Sequence, residues 1–166
     1  MIFVTGGAGF IGSAVIREIL QNTDQQVLNI DKLTYAANLS SIPDRQNERY
    51  IFEEADITDA PSLDILFNKY KPNYVMHLAA ESHVDRSIEN PGDFIQTNII
   101  GTYNLLQSSL SYYSNSKDIN VRKTFKFHHI STDEVFGDLE KINEFFTEKS
   151  SYEPSSPYSA SKASSD

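Results

Sequence analysis

A strand that breaks into glycines and re-forms as a helix constrains this chain more than any other feature. Ile2 to Val4 is a short apolar run of the kind buried in parallel sheets. Thr5-Gly6-Gly7-Ala8-Gly9-Phe10-Ile11-Gly12-Ser13 follows, and Ile11, Val15, Ile16, Ile19 and Leu20 then share one helical face. Strand, Gly-x-x-Gly-x-x-Gly and helix together aim backbone N–H groups and a helix N-terminus at a pyrophosphate. Gly6 allows the tight turn, Gly9 lets phosphates approach the backbone, and Gly12 lets the helix pack closely on the strand. An ordinary glycine-rich turn is the plainer alternative. The flanking elements, and an acid further on, argue against it.

The rest of the chain alternates between strand and helix patterns. This predicts an α/β fold with a doubly wound, Rossmann-like parallel sheet, in one dinucleotide-binding domain over residues 1–166. Strands are expected at 2–5, 26–30, 50–54, 74–78 and 124–130. Helices are expected at 10–22, from a cap at Thr58 or Asp59 to Pro72, along 91–112 from Pro91, and from Tyr158 onward. Segment 32–44 reads as a polar loop with a helical turn, 79–90 as an irregular polar segment, and 114–122 as a hydrophilic connection. Segment 138–151 reads as a loop that could hold a short helix. Residues 159–166 lie inside a helical pattern with no stop signal, so a fragment of a longer protein is expected.

Composition narrows the function classes. The formal net charge of −9 argues against nonspecific binding to nucleic acid or anionic membrane. The absence of cysteine excludes disulfides, thiolate catalysis and cysteine zinc sites, and fits a cytoplasmic protein. No apolar run approaches the ~20 residues of a membrane span.

Ligands of open parallel sheets bind beyond the carboxyl ends of the strands. The polar clusters at 6–12, 31–35, 56–57, 79–86 and 131–134 fall there. Asp31, nineteen residues after Gly12, can accept from an adenosine ribose and would repel a 2′-phosphate, which favours NAD over NADP; Lys32 is the one nearby cation that could tolerate a phosphate. Asp56 could contact adenine or simply cap a helix. Tyr158 and Lys162 are one helical turn apart. A neighbouring ammonium and a positive nicotinamide would favour the Tyr158 phenolate, a base for a hydroxyl proton while hydride leaves the carbon. Ser131-Thr132-Asp133-Glu134 follows the fifth strand, where an acid and a base could act separately, with Asp133 protonated and Glu134 ionised. The same residues also suit a helix N-terminus. His77, His83, His128 and His129 lack the spacing of a helical metal pair, and no metal is expected. His77 reads as core-proximal, His128 and His129 as pointing to opposite faces, and His83 as a possible substrate contact.

Thr5 to Gly12 and Tyr158-x-x-x-Lys162 resemble the extended short-chain dehydrogenase/reductases. Within them, His77 to Ile88, Ser131 to Gly137, Asp31 to Ala36 and Asn98 resemble the dTDP-glucose 4,6-dehydratases. Sugar-nucleotide epimerases of the same fold usually carry small or hydroxyl residues where Asp133 and Glu134 stand. The resemblance implies NAD-dependent dehydration of dTDP-glucose to dTDP-4-keto-6-deoxyglucose. Tyr158, aided by Lys162 and Thr132, would act at the C4 hydroxyl, Glu134 at C5–H and Asp133 at the departing C6 hydroxyl, before hydride returns to C6. It implies an NAD site of Gly6, Gly9, Phe10, Ile11, Gly12, Asp31, Lys32, Leu33, Thr34, Asp56, Ile57, Leu78, Ala79, Ala80, Thr97, Tyr158 and Lys162. Ser82 and Thr132 would touch the sugar nucleotide. A homodimer through the 91–112 helix and the last helix is also implied. Relatives run to roughly twice this length, so the last strands and a small substrate domain are expected to be absent and the fifth strand to be left at an edge. Another NAD-dependent epimerase or decarboxylase, or a non-catalytic dinucleotide-binding module, are the alternatives.

Overall fold

The computed structural model describes residues 1–42, 44–139 and 145–166. Five parallel strands form one sheet in the order β3-β2-β1-β4-β5. They are β1 Ile2–Thr5, β2 Val27–Asp31, β3 Tyr50–Glu54, β4 Tyr74–His77 and β5 Lys126–His129. The order reverses between β1 and β4, which opens a crevice at their carboxyl ends. Among the described strands β5 pairs with β4 alone and forms an edge.

Alternation along each strand splits the core in two. Phe3, Leu28, Ile30 and Val75 pack with Leu63, Leu66 and Phe67 of α2 (Ala60–Tyr70) and Leu105 of α5 (Thr102–Asn115). Val4 and Val27 face the other way and meet Ile16, Ile19 and Leu20 of α1 (Phe10–Asn22). The Asp59 carboxylate accepts from the Ser62 N–H and so settles the α2 start. Lys71, left-handed at φ 49°, ends that helix before Pro72.

Several expected boundaries change. Within 79–90 lies a helix, α3 (Val84–Glu89), held by the Ser87 hydroxyl donating to the Val84 carbonyl at 2.6 Å. Within 114–122 begins another, α6 (Ile119–Thr124), capped by Asp118 accepting from the Asn120 N–H. Both have six residues, too few for periodicity to register. The expected continuous helix from Pro91 is α4 (Pro91–Phe94), a π-helical stretch over Ile95–Gly101, and then α5. Leu39–Ser41 forms the expected helical turn. The last helix, α7, is Pro157–Ser165, with a reciprocal cap between Ser156 and Ser159. The short helix suggested for 138–151 falls partly on residues 140–144, outside the described residues; the remainder of that segment contains none. Among the described residues no helix is long and apolar enough to cross a membrane.

Candidate active site

The carboxyl ends of the strands open into a cleft of about 410 Å³. One wall begins at the glycine turn. Gly6 has φ +71°, and a Cβ there would sit 2.7 Å from the Ala79 backbone. A Cβ on Gly12 would meet the Gly6 carbonyl oxygen at 2.1 Å, so only glycine lets α1 start this close to β1. Gly9 caps α1 with no side-chain hydrogen bond. The first N–H groups of α1, at Phe10, Ile11 and Gly12, therefore face the cleft without helical partners.

The next wall comes from the end of β2. Asp31 is 9% exposed; its Oδ2 accepts from the Ala8 N–H and its Oδ1 from the Leu33 N–H, each at 2.9 Å. The carboxylate thus ties the glycine turn to the following loop, and each oxygen keeps a lone pair free. Lys32 turns away from Asp31. Its Nζ lies 3.5 Å from Asp56 Oδ2 and donates to Thr97 Oγ1 at 3.3 Å. Thr34, Asp56, Ile57 and Thr97 complete this end of the cleft. Leu33 is the one expected cofactor residue not on its lining; it turns the chain in the left-handed region at φ 54°.

The floor is the segment after β4. Leu78, Ala79, Ala80 and Ser82 line the cleft, joined by His83. Two buried side chains hold this floor. His77, 2% exposed, lies between the Thr5 hydroxyl at 2.7 Å and the Thr102 hydroxyl at 2.9 Å. Thr5 in turn accepts from the Ala79 N–H. Burial, with smaller contributions from the neighbouring His129 and Lys162, pushes the His77 pKa down to about 3, so its ring is neutral. Asn98, in the π-helical stretch, brackets Glu81: its Oδ1 accepts from the Glu81 N–H at 2.8 Å, and its Nδ2 donates to the Glu81 carbonyl and to Ser161 Oγ at 2.9 Å. Sequence reasoning matched Asn98 to relatives but gave it no task. An amide inside an apolar helical stripe was the available signal. Arg86 on α3 stacks 3.9 Å above the Tyr35 ring at the cleft rim.

Tyr158 and Lys162 close the far end, 9% and 5% exposed. Lys162 Nζ donates to the Ile130 carbonyl at 2.7 Å. Burial pushes the Lys162 pKa down. Burial also pushes the Tyr158 phenol up, with Glu134 and Asp133 adding to the rise and a hydrogen bond with Thr132 opposing it. The Lys162 ammonium, held by the Ile130 carbonyl, is not among the groups that set this shift. Thr132 caps the single 3₁₀ turn Asp133–Phe136 by accepting from the Glu134 N–H at 3.3 Å. Thr132 therefore plays the capping role that was the plainer alternative, while sitting against Tyr158. Asp133 and Glu134 are both exposed beside the Tyr158 end. His128 is exposed and His129 half-buried, on opposite faces of β5. Among the described residues no three His, Asp or Glu side chains group as metal ligands.

The family model described as GDP-mannose 4,6 dehydratase matches residues 3–166. A dTDP-glucose 4,6-dehydratase of Neisseria meningitidis serogroup B is 59% identical over 166 residues, covering 99% of this chain and 46% of that protein. A crystal structure of a dTDP-glucose 4,6-dehydratase from Streptomyces venezuelae with NAD bound is 39% identical at TM-score 0.87, covering 99% of this chain and 48% of that one. The UDP-Glc/GlcNAc 4-epimerase of Campylobacter jejuni is 30% identical at TM-score 0.84, with coverages of 99% and 46%. The chain spans about half the length of the curated relatives it matches.

Proposed function

The chain belongs to the GDP-mannose 4,6-dehydratase family, and on that premise we propose that it is the NAD-binding and acid–base half of a dTDP-glucose 4,6-dehydratase. The observation that carries this reading is the convergence of two chemistries at one end of the cleft. Thr132 lowers the Tyr158 phenol's pKa while Glu134 and Asp133 raise it, so all three stand close to the phenol. Hydride transfer alone needs the tyrosine; an added acid–base pair suits elimination.

The cleft fits NAD. The unpaired N–H groups at the start of α1 suit a pyrophosphate, and the free lone pairs of Asp31 suit ribose hydroxyls. Lys32 pairs with Asp56 and Thr97 rather than standing free beside Asp31 to meet a 2′-phosphate. Bound there, NAD supplies a hydride acceptor that becomes the donor in the last step. The chain's own residues do the rest. Tyr158 takes the proton of the sugar C4 hydroxyl, to which Thr132 hydrogen-bonds. The resulting ketone acidifies C5–H, and Glu134 removes that proton. Asp133 protonates the C6 hydroxyl, which leaves as water. Glu134 returns a proton to C5 as hydride arrives at C6, so the net change is loss of one water. Ser82 contacts the sugar from the cleft floor.

A homodimer belongs to the same reading. Ile95, Tyr103, Leu106, Leu110 and Tyr113 leave an exposed apolar stripe along the helix pair 91–115, of a kind that marks an interface. A cytoplasmic location fits the cysteine-free composition. The test is incubation of the full-length protein with dTDP-glucose and mass spectrometry of the product. Loss of water with no net reduction of NAD is expected. Inversion at C4 without loss of mass would replace this reading with a 4-epimerase.

A further inference from the structure

Asp166 follows Lys162 by one helical turn and Tyr158 by two, so the three side chains share a face of α7. No step above uses it, yet its side chain is 11% exposed. A carboxylate withdrawn from water is costly unless donors replace the lost hydration. Asp166 has three. Ser131 Oγ donates to Oδ2 at 2.5 Å, the Tyr152 hydroxyl donates to the same oxygen at 3.1 Å, and His129 Nε2 lies 3.0 Å from Oδ1.

These donors come from two places. His129 and Ser131 flank the end of β5, and Tyr152 precedes α7. Burial and the Lys162 ammonium push the His129 pKa down, against Asp166, whose charge and hydrogen bond raise it. The contact with Asp166 places a proton on Nε2. It leaves Nδ1 buried without a hydrogen-bond partner in the protein. Lys162, 3.4 Å from the same Nε2, accordingly sends its proton to the Ile130 carbonyl instead. Ser131 directly precedes Thr132, Asp133 and Glu134. The carboxylate is thus a cross-tie between the helix that carries Tyr158 and Lys162 and the strand end that carries the acid–base triplet.

We propose that Asp166 is a positioning residue for the elimination step, holding Thr132, Asp133 and Glu134 in register with Tyr158 through Ser131, His129 and Tyr152. This rests on the dehydratase reading. Two other ties join the same parts: Lys162 to the Ile130 carbonyl, and the Glu153 N–H to the Val135 carbonyl at 3.0 Å. They keep the segment folded when Asp166 is changed. C4 oxidation depends chiefly on Tyr158 and Lys162, which α7 itself places, with Thr132 assisting through a single hydrogen bond. Water loss depends on where the triplet stands relative to them, so it is the step that loosens.

The experiment compares the full-length protein with Asp166→Asn, which keeps size and removes the charge. In the absence of substrate, amide hydrogen exchange over residues 130–136 should quicken in the variant. With dTDP-glucose, kcat should fall about ten- to hundredfold while KM holds. In a single turnover, reduced-nicotinamide absorbance should build up because oxidation outruns elimination. Ser131→Ala and Tyr152→Phe each remove one donor and should give the same signature, weaker, even where Asp166→Asn folds poorly. Wild-type kcat and unchanged exchange in Asp166→Asn overturn the proposal, as does equal slowing of oxidation and elimination. A wild-type protein that removes no water from dTDP-glucose defeats the dehydratase reading and, with it, the assigned step. A working dehydratase with an indifferent Asp166 defeats this inference alone.

Discussion

The Lys162 ammonium donates to the backbone carbonyl of Ile130 at 2.7 Å. The cation of the Tyr-x-x-x-Lys pair is therefore anchored to the end of β5, and it fixes α7 against the strand. Replacing Lys162 by Met should do two things. It leaves the Ile130 carbonyl unpaired beside a residue that is 5% exposed, at a cost of about 1–3 kcal/mol in stability. It also removes the cation next to the base, and kcat should fall about 10²-fold or more. Denaturant titration and steady-state kinetics on the full-length protein check both. Retained activity would show that Lys162 serves only the fold.

Glu134 can be separated from the oxidation step. Glu134→Gln keeps the side chain's size and removes its basicity. The variant should oxidise C4 of dTDP-glucose and stop there, with reduced-nicotinamide absorbance rising and no mass lost as water. Full turnover by this variant would contradict the role assigned to Glu134.

His77 gives a pH dependence of known sign. Its folded pKa of about 3 lies below the ordinary histidine value of 6.5. Its neutral form therefore contributes stability that is present above the unfolded pKa and is lost as pH falls from 6.5 towards 3. The full loss is on the order of 5 kcal/mol. Between pH 6 and 4 the slope of unfolding free energy should be shallower in His77→Asn than in the wild type, by up to about 1.4 kcal/mol per pH unit. Parallel slopes would mean that His77 protonates without penalty.

Gly12 tests the close approach of α1 to β1. A methyl group there meets the Gly6 carbonyl at 2.1 Å, and the turn must open to accept it. Gly12→Ala should cost about 1–3 kcal/mol in stability and weaken NAD binding, read by calorimetry. Gly9→Ala, whose Cβ would sit 3.2 Å from the Gly6 carbonyl, should be milder.

Purified residues 1–166 should not dehydrate dTDP-glucose, because relatives with that activity are about twice as long. Loss of one water, seen by mass spectrometry, would show that the acid–base half suffices.

Most of the fold was legible because its signals are local. The apolar run of β1, the glycine turn and the periodic face of α1 lie within some twenty residues, and the elements form over Ile2–Thr5 and Phe10–Asn22 as expected. The site was legible in part for a related reason: strand ends in a parallel sheet share one edge, so polar residues after each strand meet. The misses follow the same logic. Helices α3 and α6 are too short for a periodic signal, although Asp118 was a readable cap for α6. The π-helical stretch that turns Asn98 toward Glu81 and Ser161 has no composition of its own.

The sequence by itself determined the strand–turn–helix, the alternation that follows, and the acid at the end of β2, each written in neighbouring residues. Only the tertiary structure decided what the polar side chains do. It turned Lys32 to Asp56, Lys162 to Ile130, and Asp166 to His129, Ser131 and Tyr152. These partners stand 14 to 37 positions apart along the chain, beyond any helical or strand period, so no local pattern encodes them. For Lys162 and Asp166 they are chosen by burial, which removes water as the competing partner and leaves each charge the nearest donor or acceptor that the packed elements bring to it.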